Sequence, residues 1–161
     1  MNVEIMQQSK TVPDLALEGK VAVVTGGGRD IGQACAFALA AKGASVAVCY
    51  HASAEGAEGT VSQIENAGGQ AMAVQVDLTQ PESAEGFVNV IVGAFGQIDI
   101  LVNNAGGLVA RKTLAEMDLA HWQSVMDLNL TSVFTMTKAC LPHFGERSSI
   151  INLASLAGRD G

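Results

Sequence analysis

The fold is decided by one stretch near the start of the chain, Val21-Ala22-Val23-Val24-Thr25-Gly26-Gly27-Gly28-Arg29-Asp30-Ile31-Gly32. An unbroken apolar run that leads into glycines is typical of a strand buried on both faces and followed by a tight turn. Glycine lets a phosphate approach the backbone, and the next helix presents free N–H groups to it. A glycine turn alone also suits a purely structural role. Its position after a buried strand favours ligand binding, and we call residues 25–32 the glycine loop.

Strand and helix patterns alternate along the rest of the sequence. Strands are predicted at 21–24, 45–50, 71–77, 98–102 and 149–153, and helices at 31–42, 54–66, 81–95 and 118–143. Such alternation requires parallel pairing with right-handed crossovers, which predicts an α/β fold with a doubly wound parallel sheet. Ligands bind such sheets outside the carboxyl ends of the strands. Glycine or polar residues follow every predicted strand there, and this is the strongest functional signal in the sequence.

Composition and charge exclude several classes of function. Of the 161 residues, 48% are hydrophobic and 16% are charged, which fits one globular domain over residues 19–161 with a loose leader at 1–18. The net charge of −7 argues against a nucleic-acid partner, and no Lys/Arg cluster exists to bind a membrane surface. The longest apolar run, at 88–95, is too short to span a bilayer. We expect a cytoplasmic protein.

The cysteines predict neither a disulfide framework nor a metal site. Cys35, Cys49 and Cys140 are widely spaced and form no Cys-x-x-Cys pair. Reduced, buried thiols are therefore expected, and no metal ligands are assigned.

Two motifs resemble the short-chain dehydrogenase/reductase family. Thr25, Gly26 and Gly32 match its Thr-Gly-x-x-x-Gly-x-Gly loop, and residues 103–106 read Asn-Asn-Ala-Gly, which is more specific to the family. The resemblance covers about residues 17–161. It implies a Rossmann-type sheet and NAD(P)-dependent hydride transfer to or from a small-molecule carbonyl or secondary alcohol. Residues 19–25, Gly-Lys-Val-Ala-Val-Val-Thr, and the Tyr50-His51 region are most similar to 3-oxoacyl-(acyl-carrier-protein) reductases.

The resemblance and the strand ends together give a set of candidate cofactor-binding residues. They are Thr25, Gly26, Gly28, Arg29, Asp30, Ile31, Gly32, Tyr50, His51, Asp77, Leu78, Asn103, Ala105 and Gly106. In similar proteins the residue at Asp77 contacts the adenine amino group; the alternative is an Asp that bonds its own downstream backbone in a turn. Asn103 is expected to serve both the sheet and the ligand.

The end of the second strand predicts the choice of cofactor. Dinucleotide folds that prefer NAD carry an acidic residue there to hold the ribose 2′-OH, whereas this strand ends in Tyr50-His51 with no acid before Glu55. Arg29 and His51 are placed to face a 2′-phosphate, and Arg29 also resembles the NADP-preferring branch of the family. We therefore expect NADP(H) to be favoured over NAD(H). The alternatives are a solvated charge for Arg29 and a neutral loop residue for His51.

Asp30 departs from the family pattern, because it stands where the glycine loop has its middle glycine. Its carboxylate could repel the cofactor's phosphates. We expect instead that it caps the following helix, accepting from N–H groups beyond Ile31, and that Arg29 offsets its charge.

Two residues match the family's catalytic positions. Asn129 lies within the predicted long helix, where its low helix propensity suggests either a water-binding role or tolerance on an exposed face. Ser155 follows the last strand and matches the serine whose hydroxyl bonds the substrate oxygen; the alternative is a serine that ends a strand.

The family's Tyr-x-x-x-Lys follows that serine by about a dozen residues, but this sequence ends at Gly161. The only tyrosine is Tyr50, and Lys138 precedes Ser155. We expect a domain truncated after the fifth strand, an inactive 161-residue chain, and a homodimer or homotetramer at full length. A non-catalytic NADP-binding or sensing protein of the same fold is the alternative.

Overall fold

In a computed structural model, which describes residues 16–156 and 158, the chain is arranged around a parallel β-sheet. The strands are β1 Val21–Thr25, β2 Ser45–Tyr50, β3 Ala71–Gln75, β4 Ile98–Asn103 and β5 Phe144–Asn152. The α-helices are α1 Asp30–Ala41, α2 Ala54–Asn66, α3 Ser83–Phe95, α4 Leu119–Met126 and α5 Ser132–Cys140. A π-helical turn, Asp127–Thr131, joins α4 to α5, and a 3₁₀ turn, Leu141–His143, leads into β5. Most of the predicted leader, residues 1–18, lies outside the described residues.

The sheet confirms the predicted doubly wound α/β architecture. Its strand order is β3-β2-β1-β4-β5, and every pair is parallel. The chain leaves β1 first towards β2 and β3, and later returns to the other side of β1 with β4. The strand order therefore reverses between β1 and β4, and a crevice forms outside their carboxyl ends.

Two apolar cores cover the two faces of the sheet. Alternate residues of a strand point to opposite faces, so Val21 and Val23 pack under α3 and α5 while Ala22 and Val24 pack under α1 and α2. All five residues of β1 are buried as a result. This double cover explains why β1 reads as a continuous apolar run.

The predicted bounds of β3, α3 and β5 each differ from the structure by two or more residues. β3 ends at Gln75 rather than at residue 77, because Asp77 turns the chain towards Thr79. α3 begins at Ser83 rather than at Pro81, since a turn closed by Ser83 N and Gln80 O precedes it. β5 begins at Phe144 rather than at residue 149, through a register shift opposite Ile98 and Ile100.

The predicted long helix over 118–143 is also wrong as a single α-helix. It begins after Asp118, whose carboxylate accepts a hydrogen bond from His121 N at 2.7 Å and caps α4. The π-helical turn then interrupts it, and α5 ends at Cys140. A π turn inserts an extra residue into a helix and is common at functional sites.

A buried carboxylate holds β1 and β4 together at the end of the sheet opposite the crevice. Asp99 is 5% exposed, and it accepts hydrogen bonds from Lys20 Nζ at 2.7 Å and from Val21 N at 2.9 Å. Gln97 Nε2 donates a third at 2.7 Å. Burial by itself would raise the pKa of Asp99, but these hydrogen bonds outweigh it and hold the pKa below its ordinary value. The carboxylate therefore stays ionised.

The β5 side of the sheet is far more open than the β1 side. Ile150 and Ile151 are 40% and 48% exposed, and α4 buries none of its residues. None of the described helices combines the length and the apolar character that a membrane crossing requires.

Candidate cofactor site

One large cleft occupies the crevice at the carboxyl ends of β1, β2, β3 and β4. Its volume is about 840 Å³, which is within the range of small-molecule sites. We call it the main cleft; it is lined by Gly26, Gly28, Arg29, Asp30, Ile31, Gly32, Cys49, Tyr50, His51, Ala52, Ser53, Val76, Asp77, Leu78, Thr79, Asn104, Ala105, Gly106 and Leu128. All of the predicted cofactor-binding residues except Thr25 and Asn103 belong to this lining. The structure thus brings together residues from five separate stretches of the chain.

Close backbone packing explains the glycines of the glycine loop. Gly26 has a φ of 67°, in the left-handed region that favours glycine. A Cβ on Gly32 would clash with the carbonyl oxygen of Gly26, and one on Gly28 would lie 3.0 Å from Ala57 N. The glycines therefore let the loop pack closely on itself and against α2, while the loop and the start of α1 line the cleft. These features fit the pyrophosphate of a dinucleotide.

Thr25 and Asn104 hold the glycine loop against the chain that follows β4. The Thr25 hydroxyl accepts hydrogen bonds from Asn104 N at 3.0 Å and from Ala105 N at 2.9 Å. The Asn104 amide donates to Thr25 O at 2.9 Å and to Gly26 O at 3.2 Å. Thr25 therefore fixes the position of the loop from behind the lining.

The expectation that Asp30 caps α1 is wrong. A capping side chain belongs to the extended residue before the first helical turn, and Arg29 occupies that position with φ −163° and ψ 168°. Asp30 is instead the first helical residue, with a left-handed φ of 49°. Its side chain is 82% exposed, makes no capping bond, and lies 3.7 Å from Arg29 Nε. The positive φ gives a physical reason for the glycine that the family has here.

The structure bears out the turn interpretation of Asp77. Its Oδ1 accepts hydrogen bonds from the Thr79 hydroxyl at 2.7 Å and from Thr79 N at 3.0 Å. These bonds, with a smaller contribution from His51, lower the pKa of Asp77. Its Oδ2 lies 4.0 Å from His51 Nε2, within the main cleft. The turn and a contact to adenine are compatible, because they use different oxygens.

The end of β2 offers the cleft a phenol, an imidazole and a hydroxyl, from Tyr50, His51 and Ser53. Glu55, the first acid after β2, is exposed and is not part of the lining. Burial raises the pKa of the neighbouring Cys49 thiol to about 11, so this thiol stays neutral. Residues 49–53 therefore contribute no anionic side chain to the cleft, and the carboxylate that lies near His51 is that of Asp77, which follows β3.

Asn103 has a structural position. It is 3% exposed, and its amide donates to Asn152 Oδ1 at 2.8 Å and to Thr137 Oγ1 at 3.3 Å. These bonds tie β4 to β5 and to α5. The part of the prediction that assigned Asn103 to the sheet fits these contacts.

Asn129 lies in the π-helical turn, and its side chain holds the segment after β4. Its Oδ1 accepts from Gly107 N at 2.9 Å, and its Nδ2 donates to Gly107 O and to Val125 O, each at 2.8 Å. A Cβ on Gly106 would lie 2.7 Å from the same Oδ1. Mere tolerance on an exposed face does not explain an amide with three backbone partners. Asn129 thus positions the Gly106-Gly107 backbone.

Ser155 follows β5 at the same edge of the sheet. Leu153 N donates to Asn103 O at 3.0 Å, which keeps this segment beside the end of β4. Ser155 itself is exposed, and its carbonyl accepts from Gly158 N at 3.0 Å. Neither Asn129 nor Ser155 belongs to the lining of the main cleft.

Sequence reasoning missed several lining residues. They are Cys49, Ala52, Ser53, Val76, Thr79, Asn104 and Leu128. All but Leu128 lie within two residues of a predicted cofactor-binding residue, so widening each strand end would have found them. Leu128 follows no strand: it lies next to the predicted catalytic residue Asn129 and enters the cleft through the π-helical turn. Among residues 16–156 and 158, no cluster of three His, Cys, Asp or Glu side chains could hold a metal ion.

Comparison with known proteins identifies the family. A family model described as short chain dehydrogenase matches residues 20–161, which is most of the chain and includes the main cleft. The chain belongs to the short-chain dehydrogenase family. This confirms the resemblance that the glycine loop and residues 103–106 predicted.

Individual relatives agree with this assignment. The chain is 44% identical over 149 residues to a Synechocystis sp. 3-oxoacyl-[acyl-carrier-protein] reductase. The matched region covers 91% of this chain and 60% of the reductase. A short chain dehydrogenase from Burkholderia cenocepacia, solved in complex with NADP, is 40% identical with a TM-score of 0.86 over 90% of this chain and 59% of that one. An NADH-dependent reductase responsible for alginate metabolism is 36% identical with a TM-score of 0.86, over 91% and 63%.

The chain is shorter than its relatives. It spans 54–60% of the length of three curated relatives that are 42–45% identical to it.

Proposed function

We propose that the complete protein is an NADP(H)-preferring oxidoreductase that interconverts a carbonyl and a secondary alcohol. Within this class we propose a 3-oxoacyl thioester as the substrate. The similarity to the Synechocystis reductase supports this choice, as does the resemblance of the Tyr50-His51 region. The three cysteines are unpaired within the described residues, which fits a reducing compartment such as the cytoplasm.

The observation that carries the cofactor preference is the charge around the end of β2. Arg29 and His51 both line the main cleft, and residues 49–53 add no carboxylate to it; the Asp77 carboxylate near His51 belongs to the turn after β3. A 2′-phosphate would meet a guanidinium there, whereas a ribose 2′-OH would lack the acidic partner that NAD-preferring sites provide. The Burkholderia structure in complex with NADP supports the same choice.

The residues outside the main cleft suit the chemical step. When bound, the reduced nicotinamide supplies a hydride. The Ser155 hydroxyl would donate a hydrogen bond to the substrate oxygen, and Asn129 would keep the Gly106-Gly107 backbone in place between cofactor and substrate. The family resemblance implies that the proton donor would be the tyrosine of a Tyr-x-x-x-Lys motif about a dozen residues after the serine.

We also propose that the complete protein assembles as a homodimer or homotetramer. Helices α4 and α5, with the π-helical turn between them, expose Leu119, Trp122, Leu130 and Phe134. A large apolar surface of this kind is typical of an interface.

One observation favours a second candidate, a cofactor-binding protein without catalysis. Asp30 places a carboxylate on the glycine loop, at the mouth of the main cleft, where a phosphate would be repelled. Steady NADPH oxidation with a panel of 3-oxoacyl thioesters by the complete protein would exclude this candidate.

The cofactor preference is tested by measuring dissociation constants for NADPH and NADH with the complete protein. We expect tighter binding of NADPH, and a selective loss for NADPH in Arg29→Ala of about 1.5–3 kcal/mol, the size of a charge-assisted hydrogen bond. Tighter binding of NADH by the natural protein would refute the preference. Equal losses for both cofactors would show that Arg29 only supports the loop.

A further inference from the structure

The glycine loop packs against α2, although no residue of this helix lines the main cleft. Thr60, at the middle of α2, is completely buried, and its hydroxyl lies 3.1 Å from Gly27 O. The same hydroxyl lies 2.9 Å from Gly56 O, one helical turn earlier, and accepts a hydrogen bond from Gln33 Nε2 of α1 at 3.0 Å. One side chain thus joins both helices to the loop.

The hydroxyl of Thr60 has one proton to donate, because its contact with Gln33 uses a lone pair. Gly27 O and Gly56 O share that proton. Gly56 O also belongs to the backbone ladder of α2, whereas Gly27 O has no other hydrogen-bond donor among the described residues. Without the hydroxyl, a carbonyl in a buried part of the loop would be unpaired, at a free-energy cost that favours rotation of its peptide.

The neighbouring peptide of the loop is held on the same side. A Cβ on Gly56 would clash with Gly28 O, so this carbonyl also lies against the first turns of α2. Gly28 in turn packs closely on Ala57, because a Cβ there would lie 3.0 Å from Ala57 N. Two consecutive carbonyls of the loop therefore face α2.

The direction of the carbonyls determines the direction of the amides. In a trans peptide the C=O and N–H groups point to opposite sides, and no cis peptide occurs in the described residues. The N–H groups of Gly28 and Arg29 therefore point away from α2. Both residues line the main cleft, and among the described residues the Gly28 N–H has no hydrogen-bond partner.

We propose that Thr60 is a positioning residue for the cofactor: by holding Gly27 O against α2, it turns the amides of the glycine loop towards oxygen atoms of the dinucleotide. Gly56 assists by allowing α2 to approach Gly28. This inference rests on the proposed binding of a nicotinamide dinucleotide in the main cleft. It assigns a role to α2 that is distinct from cofactor selectivity, because NADPH and NADH share the oxygens that these amides would meet.

The test compares Thr60→Val, which keeps the shape and removes the hydroxyl, with Thr60→Ser, which keeps the hydroxyl. Ile91→Val serves as the control, since it removes a buried methylene from α3 on the opposite face of the sheet. Dissociation constants for NADPH and NADH are measured with the complete protein, and melting temperatures are recorded for each variant. Loss of the hydrogen bond between the Thr60 hydroxyl and Gly27 O should weaken the affinity for each cofactor roughly three- to tenfold.

We expect Thr60→Val to weaken NADPH and NADH by the same factor, Thr60→Ser to restore most of the affinity, and Ile91→Val to lower only the melting temperature. Gly56→Ala should weaken both cofactors as well. Natural-like affinity in Thr60→Val would overturn the inference, and so would a loss confined to NADPH or an equal loss in Ile91→Val.

A measurement without cofactor separates this inference from the proposed function. In the free protein, amide hydrogen exchange at Gly27, whose N–H donates to Cys49 O at 3.2 Å, should be faster in Thr60→Val than in Ile91→Val of similar melting temperature. Unchanged exchange would overturn the positioning role, whatever the protein binds. Failure of the natural protein to bind either dinucleotide would instead overturn the proposed function.

Discussion

The two sides of the sheet are built from the same strand–helix pattern but are closed to different degrees. Around β1, every residue of the strand is buried, and α1 and α2 pack against the sheet and the glycine loop. Around β5, Ile150 and Ile151 are 40% and 48% exposed, and Trp122 of α4 is 51% exposed. The candidate cofactor residues lie on the closed side, whereas Asn129 and Ser155 lie on the open side. Cofactor binding should therefore depend on contacts within the described residues, and catalysis on surfaces that pack against β5.

The largest effect that would sharpen this comparison is expected from Ser155→Ala in the complete protein. Loss of a hydrogen bond to a developing oxyanion typically lowers kcat by about 10²–10³-fold. Because Ser155 lies outside the main cleft, the dissociation constant for NADPH should change less than about twofold. Stopped-flow turnover and equilibrium binding on the same preparation measure both quantities. A parallel loss of turnover and binding would mean that the two sides are not separable.

Replacing a carboxylate on each side tests the difference in packing. Asp99→Asn removes the charge that accepts from Lys20 and Val21, and should lower the free energy of unfolding by about 1–3 kcal/mol. Asp127→Asn, in the exposed π-helical turn, keeps a partner for Gln123 and should stay within about 0.5 kcal/mol of the natural protein. Urea denaturation compares the two. Equal losses would contradict the idea that the closed side carries more of the stability.

The stabilising effect of the Asp99 carboxylate should depend on pH. The folded state holds the pKa of Asp99 below its ordinary value of 3.8, so the ionised carboxylate stabilises the fold above that value. This contribution is lost as the pH falls through the lowered pKa. The difference in unfolding free energy between the natural protein and Asp99→Asn should therefore shrink below about pH 4. A constant difference between pH 7 and pH 3 would exclude this role.

The smallest expected effect concerns Asp30, the irregular point of the closed side. Asp30→Gly should relieve a left-handed strain of about 1–2 kcal/mol, offset by about 0.5–1 kcal/mol for the greater freedom of glycine in the unfolded chain. The net gain in stability is then about 0.5–1 kcal/mol, measured by thermal denaturation. Asp30→Asn is the matched control, because it removes the charge and keeps a side chain at φ 49°. If the charge of Asp30 weakens cofactor binding, both variants should bind NADPH more tightly. If its left-handed φ is strained, only Asp30→Gly should gain stability. Lower stability in Asp30→Gly would contradict a strained backbone at this residue.

The sequence predicted the sheet and most of the main cleft because these depend on periodicity and on glycine. A run such as Val21–Val24 has one stable environment, between two layers of helices, and glycines at a strand end have few uses besides a close approach. The conformation of Asp30 was not predictable, because local propensity allows both a cap and a left-handed residue for Asp. The choice depends on how α1 packs against the loop.

The backbone contacts of Asn129 were not predictable for a related reason. A helical pattern gives no sign of an inserted residue, so the π-helical turn was read as a continuous helix. The contacts of Asn129 with Gly107 join parts of the chain that are far apart in sequence, and only the tertiary structure brings them together. Thr60 was unpredicted in the same way, since a threonine within α2 has no distinguishing pattern.

The position of β5 at the edge of the sheet has a practical consequence for anyone who handles the 161-residue polypeptide. An edge strand offers a row of unpaired N–H and C=O groups, and here Ile150 and Ile151 add exposed apolar side chains to it. Such an edge is a template for a strand from another molecule, and contiguous apolar surface promotes the same encounter. Concentrated solutions of the polypeptide should therefore scatter light and lose soluble protein with time, and dilute conditions or a covering partner should slow this aggregation.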